Sequence, residues 1–482
     1  MKKFLIILLA LFATQIMTSC SEDELDIKPE YLDNLDTIDT EEKLQMFLNG
    51  AYLSITNVQA YGAEALMFGD LLSDQMFSSS YLNTANFSYN ELVNDFSTYG
   101  HMYAAILRCN LVINNDLVDD SENVSRIKAE AKILRAFAYF HLISTYSATP
   151  TSGLNQEYGV PIVLGDFDIT IQPARSTVAE VYDQIISDLQ AGIQGAHSAP
   201  EYKNYLSQTA AKLILSRVYL TRRAAGDAEL ALQYATEVVN SSPSVFAPIS
   251  TVNAPISGAD YVAYFNANLN AVTENRPETI WELDLNFNNS ASAGIGGNLS
   301  LSSYYERTGT RRSFLFTQSF FASFGDNVGD VRKGLFTAQG VPPTDSPTGL
   351  WTTKWTRNSE SGNFVRDIKI LRFAEAQLNR IEALYLTGQT GVALTELNDF
   401  ATSRGGLTYT GSNLLNDILT ERYKEFFAEG HRFYDLKRYN LPIVRTTNCN
   451  TCELPANDLR FVFPMDEGVL NQNSALTQYP GY

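Results

Sequence analysis

Apolar residues recur at spacings of three and four along much of the chain, which is the period of an amphipathic helix. The clearest run consists of Ile127, Ala131, Leu134, Ala138 and Leu142. Other apolar residues cover the remaining sides of the same segment. The pattern therefore predicts a helix that is buried on most of its circumference.

Two later segments each read as a helix, a glycine turn and a second helix. The predicted ranges are 208–223 and 228–240 for the first pair, and 370–386 and 392–402 for the second. Gly226 precedes Ala231 by five residues, as Gly388 precedes Ala393. Small residues at these offsets let two helices pack closely, and the pairs resemble tetratricopeptide repeats. Stacked pairs of this kind bury a shared core.

The middle of the chain, residues 241–362, has a different pattern. Asn, Ser, Thr and Gly are frequent there and long helical periods are absent, while Thr279 to Leu285 alternates like a short strand. We therefore predict a mainly α fold. Its helical scaffold covers about 40–240 and 363–440, and the inserted loop-rich lobe, about 241–362, contains short strands. Ligand contacts usually lie in such irregular segments.

The N-terminus begins with Met1, Lys2 and Lys3, continues with an apolar run over 4–16 and reaches Cys20 before an acidic stretch. The run is shorter than the roughly 20 residues that span a bilayer, so it predicts a secretory signal over 1–19 that is removed. A cysteine at the cleavage point resembles a bacterial lipoprotein signal, with lipid attached to Cys20. The acidic residues that follow resemble the surface-export signal of Bacteroidetes lipoproteins. An ordinary signal peptide with a coincidental cysteine is the alternative.

Charge and cysteine content narrow the possible partners. The 482-residue chain has a formal net charge of −19, which repels phosphate backbones and argues against nucleic acid as a ligand. Cys449 and Cys452 form a C-x-x-C pair with no further metal ligands nearby, so we predict a local disulfide in an oxidising compartment. Cys109 lies in a helical pattern and is predicted to be a core residue.

Motifs of catalysis are absent from the sequence. It has no G-x-S-x-G elbow, no H-E-x-x-H and no P-loop. A glycosidase that uses two distant carboxylates stays open. The segment Gly325 to Asp330 suggests a polar turn more than a structural calcium site, because it lacks the EF-hand ligand pattern. We therefore predict neither catalytic residues nor a cofactor.

Several blocks in the helical segments carry a family resemblance. The segment Ala129 to Phe140 and the segment Glu429 to Arg438 are the most specific. Further matching blocks are 159–161, 175–182, 210–220, 330–332, 371–384, 463–467 and 478–482. In this order they resemble the SusD/RagB family of nutrient-binding outer-membrane lipoproteins of Bacteroidetes. The chain departs from the family pattern at Ser147-Ala148 and at Tyr479.

The resemblance implies a binding protein rather than an enzyme. It implies capture of oligosaccharides at the cell surface and their delivery to a SusC-like, TonB-dependent barrel in the outer membrane, as part of polysaccharide utilisation. A RagB-like peptide-binding lipoprotein is the alternative, and a surface glycoside hydrolase is a third hypothesis. The resemblance does not identify the ligand-binding residues.

Candidate ligand residues follow from sugar chemistry, because aromatic rings stack on apolar sugar faces and polar side chains bind hydroxyls. Two tracts outside the scaffold helices offer this mixture, 77–89 and the middle lobe. The candidates are Tyr81, Asn83, Phe87, Tyr304, Tyr305, Arg307 and Trp351. Packing of an aromatic ring under a loop is the competing interpretation for each of them.

Charged residues inside the helical patterns indicate ion pairs. Glu429, Arg432 and Asp435 recur at steps of three, a spacing that brings charges together on one helix face. We expect a structural ion-pair network there, and a contact with a partner protein is the alternative. Arg135 and Arg372 lie in apolar segments, so we expect both to be partly buried beside carboxylate partners.

Overall fold

A computed structural model describes most of the chain from residue 37 onward. The described residues are 37–78, 98–165, 170–265, 274–285, 294–295, 299–306, 313–326, 329–337, 350–355, 367–447, 449 and 451–482. The predicted signal, Cys20 and four of the candidate ligand residues (Tyr81, Asn83, Phe87 and Arg307) lie outside these ranges.

The fold is mainly helical, as the periodicity predicts. The helices are α1 Glu41–Thr56, α2 Glu64–Leu71, α3 Thr98–Ile113, α4 Glu122–Tyr146, α5 Val178–Gly195, α6 Gln208–Arg222, α7 Asp227–Val239, α8 Gly258–Phe265, α9 Leu301–Tyr305, α10 Gln318–Ala322, α11 Phe373–Leu386, α12 Thr390–Ser403, α13 Leu414–Glu425, α14 Arg432–Arg438 and α15 Glu467–Gln472. Short 3-10 turns lie at Pro150–Ser152, Val331–Leu335 and Leu459–Phe461.

The long helices stack in chain order. Helix α3 packs against α1 and α4, α4 against α5, α5 against α6, α6 against α7, and α7 against α11. Helix α4 lies inside this stack, and 18 of its 25 residues are buried, which confirms the prediction of a helix covered on most sides. Ser121 caps its first turn by accepting a hydrogen bond from the backbone of Val124.

Both predicted helix pairs are present, as α6–α7 and α11–α12. Gly226 and Gly388 have φ values of 84° and 80°, a left-handed conformation that glycine adopts without strain. Ala231 and Ala393 are fully buried in the second helix of each pair. The shared offset thus marks, in both pairs, a left-handed turn followed by a buried alanine.

The strands are short and lie between the helical parts. They are β1 Met76–Ser78, β2 Thr279–Leu283, β3 Phe314–Phe316, β4 Phe336–Thr337, β5 Trp351–Thr352, β6 Ile368–Arg372, β7 Ile443–Val444 and β8 Glu453–Leu454. The antiparallel pairs are β1–β3, β2–β6, β4–β5 and β7–β8. Strand β2 confirms the strand predicted from the alternation at Thr279 to Leu285.

One predicted boundary is wrong. Residues 370–372 were expected to begin a helix, but they end strand β6, and α11 begins at Phe373. The reason is tertiary, because this stretch pairs with β2, where Thr279 lies opposite Arg372. Local apolar periodicity cannot distinguish a buried strand that runs directly into a helix.

The cysteines have the states predicted from the sequence. Cys449 and Cys452 are joined by a disulfide across three residues, between Cα atoms 5.2 Å apart. Cys109 is a free thiol in the core, fully buried on α3.

Among the histidines, His141 lies in the core, and burial lowers its pKa to about 3.

Candidate functional site

A small aromatic sheet brings together the regions that carry the candidate ligand residues. Strand β1 pairs with β3, with Ser78 opposite Phe314 and Met76 opposite Phe316. Phe316 also bridges Leu350, the residue immediately before β5. The three short strands therefore lie side by side. We call β1, β3, β5 and the adjoining helix α9 the aromatic platform.

Three tracts of the chain begin or end at this platform. Residues 79–97 follow β1, residues 307–312 connect α9 to β3, and residues 338–349 end at the bridge formed by Leu350. All three lie outside the described residues. The first contains Tyr81, Asn83 and Phe87, and the second contains Arg307. The described residues that flank these two tracts, Ser78 on one side and Glu306 and Ser313 on the other, are more than 200 residues apart in sequence and lie at the same platform.

The other three candidates lie within the platform itself. The Tyr304 ring stacks on Phe314 with centroids 5.5 Å apart, and Trp351 packs in a small apolar cluster with Phe77. The exposed fractions of Tyr304, Tyr305 and Trp351 are 6%, 0% and 1%. The structure favours the packing interpretation at these positions, because little ring surface is open for stacking on a sugar. A direct contact between these three residues and a ligand stays a prediction.

A buried aspartate ties the platform to the rest of the fold. The Tyr305 hydroxyl donates a hydrogen bond of 2.9 Å to Oδ2 of Asp70 on α2. Oδ1 of Asp70 accepts hydrogen bonds from Gln75 Nε2 at 2.6 Å and from the Gly430 backbone at 3.1 Å. Burial raises the pKa of Asp70 well above its usual range. Reasoning from ligand chemistry did not identify Asp70. Its sequence signal is that it is the single acidic residue in the apolar stretch 65–72.

A close backbone approach fixes the same junction. Gly69 on α2 lies against the backbone of Gly430, where a Cβ atom would collide with the Gly430 carbonyl. Gly430 itself has a φ of 76°, which glycine tolerates best. The α2 helix, with Asp70, is thereby held directly against the residue that follows Glu429.

Beneath this junction lies a buried ion-pair cluster. Glu429 accepts hydrogen bonds from Lys354 Nζ at 2.5 Å and from Arg372 Nε and Nη2 at 2.8 Å each. Arg372 also contacts Glu425 at 3.0 Å and Glu278 at 3.2 Å. These side chains are at most 6% exposed.

The cluster continues around Glu425. Its carboxylate lies 3.5 Å from Arg332 and 3.4 Å from Arg404. Burial alone would raise the pKa of Glu425, but Arg404, Arg372 and Arg332 together hold it below its ordinary value. Arg332 is also paired with Asp330 at 2.7 Å and with Glu421 at 2.7 Å. Asp330, which belongs to the segment considered above for calcium, thus forms an ion pair with Arg332.

The arrangement of this cluster suits stability rather than chemistry. Each of the carboxylates named here is matched by a cation, and all of these side chains are buried. Arg135 shows the same design in the scaffold, where it binds Asp188 through Nε at 2.8 Å and Nη2 at 2.7 Å. The expectation of carboxylate partners for Arg135 and Arg372 is confirmed.

Glu429, which precedes α14, and Arg432 and Asp435 within α14 do not pair with one another as the spacing suggests. Glu429 binds Lys354 and Arg372 as described. Arg432 binds Asp74, with Nη2 at 2.7 Å from Oδ2, and Asp435 binds Arg422 and Arg438. They form structural ion pairs, as expected, but four of their five partners lie outside α14, and only Arg438 lies within it. The three-residue spacing predicted that these side chains form ion pairs, but it could not identify the partner residues.

With the fold and platform described, comparison with known proteins identifies the class of protein. A family model described as starch-binding associating with outer membrane matches residues 23–220, and a model of the SusD family matches residues 327–482. The chain belongs to the SusD/RagB family. The helical stack and the platform are therefore the chain's version of that family's fold.

Particular relatives agree with this assignment. SusD-like protein P2 of Formosa agariphila is 29% identical over 256 residues, which are 50% of this chain and 47% of that protein. The match thus spans about half the length of that relative. A SusD superfamily structure from Bacteroides thetaiotaomicron has a TM-score of 0.78 at 24% identity, covering 92% of this chain and 100% of that chain.

A third protein was solved as a laminarin binding SusD-like protein. Its structure has a TM-score of 0.71 at 19% identity, covering 92% of this chain and 100% of that chain. At these identities the two structures establish the fold alone. Among the described residues, no helix is both long and apolar enough to cross a membrane.

Proposed function

We propose that this protein is a cell-surface glycan-binding lipoprotein. It captures oligosaccharides and delivers them to a SusC-like, TonB-dependent transporter in the outer membrane. The protein acts by binding and not by catalysis.

The convergence at the aromatic platform carries this proposal. The helical stack holds three short strands side by side, and three tracts leave from or return to these strands, of which 79–97 carries aromatic and polar residues and the other two carry no aromatic residue. Binding sites are commonly built in this way, with variable loops on a rigid scaffold. Tyr81, Asn83, Phe87 and Arg307 are the ligand contacts we propose on these tracts.

Family membership supports the ligand class. The matching family model is described by starch binding and by association with the outer membrane, and one solved protein of the same fold binds laminarin. Both ligands are glucose polymers with flat, hydroxyl-ringed units. Such ligands suit a mixture of aromatic and amide side chains.

The affinity for a glycan is expected to be modest. Sugar hydroxyls give up good hydrogen bonds to water on binding, and a stacking contact contributes about 1 kcal/mol beyond burial. A partly wet surface site therefore predicts dissociation constants of about 10 µM to 1 mM, or roughly 4 to 7 kcal/mol.

Attachment to the membrane is proposed through lipid on Cys20. Each buried methylene of an acyl chain contributes about 0.8 kcal/mol, so several chains hold a protein on a bilayer effectively permanently. The acidic stretch after Cys20 favours display on the outer face.

Glycan arrays followed by calorimetry test the function. We expect saturable binding of at least one oligosaccharide by the purified protein. Binding of peptides without any glycan would instead support the RagB-like alternative. Turnover of a bound glycan by pure protein would establish a glycoside hydrolase, and co-purification with a barrel protein tests the delivery step.

A further inference from the structure

A second concave site lies on a different part of the molecule from the platform. It is a groove of about 210 Å³ between the loop after α4, the end of α14, the 3-10 turn near the C-terminus, and the C-terminal residues themselves. None of the residues that line it belongs to the aromatic platform. An engineered cavity of about 150 Å³ accommodates a benzene-sized molecule, so this groove has room for one substituted six-membered ring.

Three asparagines line the groove, and all three have left-handed backbones. Asn155, Asn440 and Asn457 have φ values of 44°, 48° and 61°. Asparagine accepts this conformation more readily than most residues, at some cost relative to glycine. Three separate loops therefore turn sharply at the groove and each presents an amide side chain there.

Two of the three asparagine side chains have amide atoms without a hydrogen-bond partner among the described residues. The Oδ1 atom of Asn440 is buried and has no partner within the described part of the chain, while its Nδ2 donates to Thr151 Oγ1 at 3.3 Å. The Asn457 side chain is exposed and makes no hydrogen bond to other described residues. A buried carbonyl oxygen without a donor is costly, which favours a hydroxyl-bearing occupant.

An aromatic residue completes the wall. Tyr479 lines the groove, and its hydroxyl interacts with Asn155. The ring packs edge-on against Tyr158 at 5.9 Å. This tyrosine is one of the positions at which the chain departs from the family pattern.

The charged groups at the groove already have hydrogen-bond partners. Asp458 accepts hydrogen bonds from Arg460 Nε at 2.8 Å and Nη2 at 2.9 Å. Lys437 at the inner end donates to the Ser144 carbonyl at 2.6 Å and to the Ser147 carbonyl at 2.8 Å. Burial also lowers the pKa of Lys437 to about 7, which weakens its positive charge near neutral pH. The groove therefore offers amides and hydroxyls beside charged groups that already have hydrogen-bond partners, and the Tyr479 ring, 4% exposed, adds little surface for stacking.

We infer that this groove is a second carbohydrate site that binds a single uncharged pyranose ring. The ring oxygen and hydroxyls would exchange hydrogen bonds with the three asparagine amides. For a ligand of this size, a dissociation constant of roughly 1–10 mM is expected. The inference does not rest on the proposed function, because it concerns other residues and a different probe.

Saturation-transfer NMR on the full chain in detergent tests the site. The probes are methyl β-D-glucopyranoside, methyl α-D-mannopyranoside and methyl β-D-galactopyranoside. Asn457→Gly removes an exposed amide and keeps the left-handed backbone, so the fold is preserved. Asn275→Gly is the matched control, since Asn275 has a φ of 54° outside the groove. Tyr479→Phe keeps the ring and removes its hydroxyl.

We expect at least one of the three glycosides to bind in the millimolar range. Asn457→Gly should weaken it at least five-fold, whereas Asn275→Gly should leave it unchanged. No saturation transfer from any of the three up to 100 mM overturns the inference. It is also overturned if glycerol binds equally well, if methyl β-D-glucuronide binds more tightly, or if Asn275→Gly has the same effect as Asn457→Gly. Loss of oligosaccharide binding through Tyr81 or Arg307 leaves this site unaffected, so failures of the two proposals are distinguishable.

Discussion

Replacing Glu429 by glutamine tests the role of the buried ion-pair cluster. The substitution keeps the shape of the side chain and removes one negative charge from beside Lys354 and Arg372. Glu429 is 6% exposed, and three hydrogen bonds from these two cations end on its carboxylate. Glutamine would leave the two buried cations short of one neutralising charge.

The expected loss follows from the cost of an unmatched buried charge. Removing one partner of a buried pair typically destabilises a protein by about 3–5 kcal/mol. Arg380 and Glu396 provide a matched control, because the two are joined at 2.8 Å but their side chains are 24% and 29% exposed. Pairs exposed to water contribute about 0–1 kcal/mol, so Glu396→Gln should cost little.

Lys354 gives the Glu429→Gln effect a pH dependence. Burial lowers the pKa of Lys354 to about 8, and Glu429 opposes this shift. Without Glu429 the pKa falls further, so Lys354 loses its proton in the folded variant at a lower pH. The extra loss is fully present below the variant's pKa and disappears above pH 8, where Lys354 is neutral in both proteins. Each unit of additional pKa shift corresponds to about 1.4 kcal/mol.

Urea denaturation followed by circular dichroism measures the effect at pH 6.5 and pH 9.5. Glu429→Gln should lower the free energy of unfolding by several kcal/mol at pH 6.5 and by less at pH 9.5. Glu396→Gln should change it by under 1 kcal/mol at both. The reasoning fails if Glu429→Gln costs no more than Glu396→Gln, or if its cost grows as the pH rises.

Three further predictions concern other parts of the molecule. Trp351→Ala should lower the melting temperature clearly in a thermal melt, because truncating a fully buried aromatic side chain costs about 3–5 kcal/mol; an unchanged melting temperature would contradict its packing role. Tyr81→Ala should weaken glycan binding several-fold in calorimetry and leave the melting temperature nearly unchanged. Cys20→Ala should release the protein from membranes in cell fractionation without altering circular dichroism, and retention of this variant in the outer membrane without a barrel partner would disprove the lipid anchor.

Much of the scaffold could be predicted from local patterns. The periodicity around Leu134 identified α4, and the turns at Gly226 and Gly388 identified both helix pairs, because helix faces and left-handed turns depend on residues close in sequence. The disulfide between Cys449 and Cys452 was predictable for the same reason, since only two residues lie between them. Such features need no knowledge of distant partners.

The features that could not be predicted depend on distant contacts. Arg372 ends a strand because Thr279 lies opposite it, and its carboxylate partners are 53 to 94 residues away. Tyr305 is buried because its hydroxyl meets Asp70, which is 235 residues earlier. A composition suited to sugar binding therefore selected three rings that pack within the platform, and a ligand contact through them stays a prediction. Spacing along the chain carries no information about such pairs.

Calorimetric titration of an oligosaccharide identified by glycan array tests the central claim most directly. It should be performed on the unmodified protein, on Arg307→Ala, and on Glu396→Gln as a control outside both proposed sites. Our account predicts a dissociation constant of about 10 µM to 1 mM, several-fold weaker binding by Arg307→Ala, and unchanged affinity in Glu396→Gln. The absence of heat from every glycan tested, or equal affinity in Arg307→Ala and the unmodified protein, would contradict glycan capture at the platform tracts.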